Sequence, residues 1–254
     1  MPVIEEYMEK SAGKNGFSLI ELMVAMVIAG VVTAVIGSAY TLQVRSKNTQ
    51  EIITQMNQTA RAAMEIMEYE IRMAGCDPEG SGDPKIITAT PGELIFSLDV
   101  NNDGNTHNSD ADICDLNEAV RYCLTNDADF DGINDNIADG VECHLGRETG
   151  GDLDPSSGCG GGTSGLEPLA RNIDVLNFVY LDEQGNVTVN VDDIRTIQVT
   201  LVARSGESAS GFLFSQTDNN SYLNLQGDEV LPVQRDHFRR LCLSSSIKCR
   251  NLGI

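Results

Sequence analysis

The sequence predicts an α+β protein in which one long N-terminal helix packs against a head built on an antiparallel β-sheet. Three observations carry this prediction. No proline occurs between Pro2 and Pro78. Within that stretch an uncharged apolar run passes directly into apolar residues spaced three and four apart, the period of a helix. From Lys85 onward the pattern changes to short β-branched runs separated by Pro, Gly, Asn and Asp, the pattern of strands and turns. A glycine-containing acidic stretch without apolar periodicity interrupts the strands and reads as a loop insertion, residues 99–165.

Composition narrows the classes. A chain of 254 residues that is 41% hydrophobic can bury a core. Its 17 basic and 38 acidic residues leave a net charge of −21. Such a surface repels phosphate backbones, which disfavours direct nucleic-acid binding, and it offers no basic patch to anionic lipid. Divalent cations are the ligands it attracts. His107, His144 and His237 show no metal-ligand or triad spacing, and there is no P-loop, nucleophile elbow or zincin motif, so no enzyme signature is present. Seven cysteines without a C-x-x-C pair argue against a zinc ribbon and for disulfides in an oxidising compartment.

The helix comes first. Phe17–Val44 reads FSLIELMVAMVIAGVVTAVIGSAYTLQV, and Leu22–Ala39 gives 18 residues without a charge. That length approaches what a hydrocarbon core of ~30 Å requires. Gly30 and Gly37 are tolerated in a lipid-embedded helix, although a glycine costs ~1 kcal/mol in a helix interior and makes Gly30 a weak point. Glu21 is the anomaly, because a carboxylate facing lipid alone costs about 3 kcal/mol and therefore wants a partner. Beyond the span, Ile53, Met56, Ala60, Ala63, Met67, Ile71 and Ala74 form one apolar face, with Arg61, Glu65, Glu68 and Arg72 elsewhere. One helix from about Ser18 to Ala74 follows, on the order of 85 Å at 1.5 Å per residue. Its first half, 17–44, is membrane-spanning and its second, 45–75, packs on the head. Gly75 and Pro78 end it.

The string GKNGFSLIELMVAMVIAG resembles the class III signal of type IV pilins and type II secretion pseudopilins. The resemblance implies a leader, residues 1–16, that a prepilin peptidase removes between Gly16 and Phe17, and methylation of the new N-terminal Phe17. Glu21 becomes the fifth residue of the mature chain. Its implied role is a salt bridge to the terminal ammonium of a neighbouring subunit, which offsets the desolvation of a lone carboxylate. The competing reading is an ordinary secretory signal cut before Tyr40. The acidic Glu5, Glu6 and Glu9 and the buried-run Glu21 speak against it. Ser38 stands where the family often has proline, which favours a continuous helix.

Strands are expected next at Lys85–Thr90 and Glu93–Val100, joined across Pro91-Gly92. Further strands are expected at Glu118–Leu124, Gly140–Leu145, Asn172–Leu181, Asn186–Val191 and Ile194–Arg204, with Phe238–Arg250 as a final strand or strand pair. The helix end EIRMAGCDP and the later strings ARNIDVLNFVYLDEQG, IRTIQVTLVARS and RRLCLSSSIKCRNLG are similar to PilW-type minor pilins, relatives of the J-type pseudopilins. The head then spans 76–254.

The acidic middle carries two loops. Between Asp99 and Asp154 stand 15 acidic residues against Arg121 and Arg147 alone. Asp127, Asp129, Asp131, the Ile133 carbonyl, Asp135 and Asp139 follow D-x-D-x-D-G-x-x-D spacing, in which alternate carboxylates converge on one hard cation and Gly132 permits the turn. The loop resembles those of EF-hands and thrombospondin type 3 repeats, with Ala138 where an EF-hand has Glu. The spacing points to structural Ca2+, against a plain solvated hairpin tip. A weaker second candidate comprises Asp99, Asn101, Asp103, Asn105 and Asp110. Cys123 and Cys143 flank the better loop and are candidates for a disulfide that clamps its base. Cys242 and Cys249 are candidates within a terminal hairpin, and many other pairings remain open. The GCGGGTSG run at 158–165 reads as a linker, because it lacks the Lys and Ser/Thr of a phosphate loop.

The PilW-type resemblance implies a structural subunit and not an enzyme. It would sit in the inner membrane as a single-pass protein with its head in the periplasm. It would then join other minor and major pilins, initiate assembly and cap a type IV pilus at the cell surface, its head exposed for a tip adhesin or a surface. Two alternatives keep the helix: a J-type pseudopilin at the tip of a type II secretion pseudopilus, and a membrane-anchored calcium-binding module that never polymerises.

Overall fold

The computed structural model describes residues 16–80, 84–99, 118–150, 165–206 and 217–253. It is α+β: one helix, α1 (Leu19–Met73), followed by ten strands paired antiparallel throughout. The chain divides into two compact units, the first ending at Lys47 and the second running from Asn48 to Ile254.

In the first unit α1 is apolar and exposed along its whole described length. The helix is long and apolar enough to cross a membrane. Three of its hydroxyls are satisfied inside the helix. Thr33 Oγ1 donates to the Ala29 carbonyl at 2.8 Å, Ser38 Oγ to Ala34 at 2.9 Å, and Thr41 Oγ1 to Ser38 at 2.8 Å. Polar side chains that bond their own backbone present no unsatisfied donor to an apolar medium. The helix runs unbroken through Gly30 and Ser38, as the missing proline predicts.

In the second unit α1 buries Ala60, Ala63, Met67 and Ile71 of the predicted face together with Met64, leaves the predicted Ile53 and Met56 half-buried, and stops at Gly75, whose φ of 76° is left-handed. The strands are β1 (Ile86–Ala89), β2 (Leu94–Ser97), β3 (Ala119–Leu124), β4 (His144–Gly150), β5 (Glu167–Arg171), β6 (Ile173–Leu181), β7 (Thr196–Arg204), β8 (Tyr222–Leu223), β9 (Glu229–Leu231) and β10 (Arg240–Lys248). They form a five-stranded sheet in the order β1-β2-β3-β4-β5, a three-stranded sheet in the order β10-β7-β6, and the hairpin β8-β9. Alternate residues of both larger sheets and the α1 face share one core, with Phe96, Tyr122, Leu145, Leu176 and Leu201 at its centre. The β8-β9 hairpin covers the opposite face of the three-stranded sheet, where Val175, Val202 and Leu231 make a second small core.

Four expectations need correction. The head has two main sheets instead of one. The run at 186–191 is not a strand: it makes one bridge, Leu181↔Val187, and then turns into a 3-10 helix at Val191–Asp193. Thr188 Oγ1 accepts from the Asn190 N–H at 3.1 Å, and the Asn190 amide donates to Asp193 at 2.8 Å, so local side-chain bonds bend the chain away. The strand expected at 140–145 begins only at His144, because Arg204 Nη2 takes the Gly140 and Val141 carbonyls. Finally, the terminal hairpin considered for Cys242 and Cys249 is absent: β10 is one uninterrupted strand, the single-strand form of the reading for 238–250. Cys242 and Cys249 are therefore separated along one extended chain, at roughly 3.3 Å per residue, far beyond disulfide reach. Strands β5, β8 and β9 were not anticipated.

Candidate functional site

The N-terminal site is local. Gly16, Phe17 and Ser18 precede the first helical residue, and Phe17 is 89% exposed, so the Gly16–Phe17 bond sits in accessible, non-helical chain. Glu21 finds a partner within its own chain: its Oε2 accepts the Ser18 N–H at 3.0 Å. That is the return half of an S-x-x-E capping box, which satisfies one of the open donors at the helix start. A carboxylate at this end is also favoured by the helix dipole. The other oxygen, Oε1, has no partner among the described residues. Residues 1–15 of the expected leader lie outside the described residues.

The aspartate loop connects β3 to β4 and folds tightly on itself. Asp127 Oδ1 accepts the Asp131 N–H at 3.1 Å and Oδ2 the Gly132 N–H at 2.9 Å. Asp131 Oδ1 accepts from the Ile133 N–H at 2.7 Å. The loop is pressed onto its neighbours by backbone bonds: the Gly92 N–H donates to Phe130 O and the Leu176 N–H to Gly132 O, both at 2.9 Å. Gly132 adopts a φ of 89°, and a Cβ there would meet the Leu176 carbonyl. A Cβ on Gly92 would strike the Gly132 backbone and the Asp127 carboxylate. Both positions therefore require glycine.

Carboxylate oxygens of Asp127, Asp129 and Asp131 lie within 4.8 Å of one another. Asp127 is buried, while Asp129 and Asp131 are exposed. Burial pushes the Asp127 carboxyl up to about 6, and the nearby Asp131 and Asp129 add to the shift against the Gly132 and Asp131 amides that lower it. Three hard oxygen donors suit calcium better than a transition metal. The other expected carboxylates, Asp135 and Asp139, do not join this group. Asp135 Oδ2 accepts the Ala128 N–H at 3.0 Å, and Asp139 lies on the following turn. The second candidate loop, Asn101, Asp103, Asn105 and Asp110, lies outside the described residues; Asp99 is buried, with its N–H donating to the Cys76 carbonyl at 2.8 Å.

The Cys123–Cys143 pairing is not present: both thiols are free. The register explains it. Cys123 stands opposite Gly146, and Leu124 opposite Leu145. Counting back by alternation puts Cys143 on the same face as Leu145, in the main core, and Cys123 on the other face. Cys76, Cys242 and Cys249 are free as well, whereas Cys114 and Cys159 lie outside the described residues. Burial pushes the Cys123 thiol up to about 11 and Cys249 to about 12.

Sequence reasoning missed the charged cluster that holds the loop's far side. The Arg240 side chain is fully buried and bonds Asp174 at 2.7 Å, Asp218 at 3.0 Å and Asp236 at 2.6 Å. Arg204 lies beside Asp174 at 3.5 Å and stacks 4.7 Å above the Phe238 ring. A guanidinium presents several donors in a fixed fork, which is what three converging carboxylates require. A second link joins α1 to the five-stranded sheet: Glu70 takes Arg147 Nη2 at 2.8 Å and the Tyr122 hydroxyl. No spacing in the sequence announces either cluster.

Comparison with known proteins bears on the N-terminal segment. Residues 11–37 match the model of the prokaryotic N-terminal methylation motif. A type IV-like pilin from Thermus thermophilus is similar in structure, at 11% identity and a TM-score of 0.47, over 79% of this chain and 100% of that one. No curated protein matches the chain.

Proposed function

We propose that this chain is a structural subunit of the type IV pilin class, a PilW-type minor pilin that helps initiate a pilus and caps its tip. The observation that carries the reading is the N-terminal methylation motif over residues 11–37 standing at the head of an apolar, fully exposed helix that continues without a break into the core helix of a β-rich head. A soluble protein has no use for such an uncovered apolar surface, whereas a subunit first held in a membrane and then packed among other subunits' helices does.

In this reading a prepilin peptidase cuts between Gly16 and Phe17, and Phe17 is methylated. The Glu21 carboxylate, already oriented by its bond to Ser18, offers Oε1 to a neighbour's terminal ammonium. The capping bond sets the rotamer beforehand, so less entropy is lost when the pair forms. The head faces the periplasm before assembly and the cell surface afterwards, available to a tip adhesin. Asp127, Asp129 and Asp131 hold a calcium ion that stiffens the loop, with solvent or main-chain oxygens completing its shell. The role is structural, and no chemistry is assigned to the head.

Mass spectrometry of the N-terminal peptide from native membranes tests the reading. A chain beginning at methylated Phe17 is the expected result. A chain beginning at Tyr40 would remove the helix, Glu21 and the assembly role together.

A further inference from the structure

The segment Asn186–Asn190 reads NVTVN, a strand sequence, yet it pairs for one bridge only. The bonds that make the bridge are Asp182 N–H to Asn186 O and Thr188 N–H to Tyr180 O, both 2.9 Å. In this antiparallel pattern the N–H and C=O of Val187 point away from β6, and Val189 stands next on the segment before the bend at Asn190. Neither residue makes a backbone hydrogen bond on that side among the described residues. The two residues are 60% and 91% exposed. An open main-chain edge flanked by uncovered valines is a template for another strand.

A cleft of about 380 Å³ adjoins this edge, between residues 187–189 and the β8-β9 hairpin, with Val175, Phe178 and Val179 among its lining. Asp131, Asp228 and Glu229 stand around it, and among the described residues no Lys or Arg lines it. The rim is acidic on a chain whose net charge is −21, so an acidic visitor is repelled and a basic one drawn in.

We propose that the Val187–Val189 edge and this cleft take up an extended, lysine- or arginine-bearing segment of a partner protein by strand addition. Main-chain bonds to Val187 and Val189 hold the segment, its small apolar side chains fill the cleft, and its cations meet Asp228 and Glu229. The proposal concerns the second unit alone and stands whether or not Phe17 is processed.

The test uses the full chain in detergent micelles and a fluorescein-labelled nine-residue peptide of alternating Val and Lys, read by anisotropy. Comparison peptides alternate Val with Glu, alternate Gly with Lys, or carry N-methyl groups on alternate peptide nitrogens of the Val/Lys sequence. The expected result is saturable binding of the Val/Lys peptide alone. The double variant V187S/V189S, at exposed positions that leave the core untouched, weakens it at least tenfold. D228N/E229Q weakens it and flattens its salt dependence. Absence of Val/Lys binding overturns the proposal. Equal binding of the Gly/Lys peptide reduces it to nonspecific attraction by an acidic surface, equal binding of the N-methylated peptide removes strand addition, and unchanged affinity in V187S/V189S moves the site elsewhere.

Discussion

Asp127 has lost its solvent while Asp129 and Asp131, its partners in the loop, have kept theirs. Its carboxyl rises from an ordinary 3.8 to about 6, chiefly through burial, with Asp131 and Asp129 as the acidic neighbours that reinforce it. The folded chain thus holds this proton more tightly than the unfolded chain does. Linkage then makes the contribution to stability full below about pH 4 and lost as pH rises through about 6. Thermal melts in EDTA between pH 4 and 7 should show the decline in wild type and a flatter profile in Asp127→Asn. Calcium reverses the sign, since an ion requires the deprotonated carboxylate. Titration calorimetry should give an affinity about tenfold weaker at pH 5 than at pH 7, because only about one-tenth of a group titrating near 6 is ionised there. Heats that match buffer dilution at both values would dismiss the ion and leave a hydrogen-bonded turn. The thiols behave as a second residue-scale case. Cys123 and Cys249, pushed to about 11 and about 12, carry very little thiolate near neutrality, so iodoacetamide should label them far more slowly in the folded chain than in urea.

Strands and loops of the second unit are held in place by polar clusters as well as by the apolar core. Arg240 joins β10 to the bulge residue Asp174 of β6 and to Asp218 and Asp236, all out of contact with bulk water apart from partial exposure of Asp236. Removing the cation strands buried carboxylates, a change that costs about 3–5 kcal/mol where a buried pair is broken. Arg240→Ala should therefore lower the unfolding free energy measured by urea titration by an amount in that range, and Arg240→Lys should recover only part of it, because one ammonium cannot serve three carboxylates in fork geometry. These clusters also mark where reading the sequence failed. The helix was legible because an uncharged apolar run passed into apolar residues at helical spacing from Ile53 to Ala74, and strands β1, β2, β3, β6, β7 and β10 because strand-forming runs stood between turn residues. What was not legible depended on contacts between distant residues. The carbonyls of Gly140 and Val141 go to Arg204 and not to a ladder, so β4 starts late. Pro91-Gly92 looked like a hairpin turn, which it is, but its second role, giving way to Gly132, is visible only once the two loops meet. The carboxylate triad Asp127, Asp129 and Asp131 was predicted from spacing, and the exclusion of Asp139 and the diversion of Asp135 were not.

At the scale of the whole chain the two units draw on different sources of stability. Every buried apolar residue among the described ones belongs to the second unit, from Ala60 onward, while the first unit buries none and leaves Leu19, Ile20, Val27 and Ile36 exposed. The second unit should consequently fold without the first. A fragment beginning at Asn48 is expected to be soluble without detergent and to melt as the head does in the full chain, with circular dichroism and gel filtration as the checks. Aggregation of this fragment would mean that the first unit supports the head's core. The same separation isolates Glu21. Its bond to the Ser18 N–H caps its own helix start, a contribution of about 1 kcal/mol for such a cap. Glu21→Ala should leave the head's melting temperature and membrane insertion unchanged, and Glu21→Gln should keep much of the cap while losing the charge. If assembly uses the carboxylate to meet a neighbour's ammonium, both variants fall out of the filament fraction together. If only the cap matters, Glu21→Gln stays in the filaments while Glu21→Ala leaves them. Co-purification with sheared filaments, measured for the two variants beside wild type, separates a charge that orders subunits from a side chain that merely starts a helix.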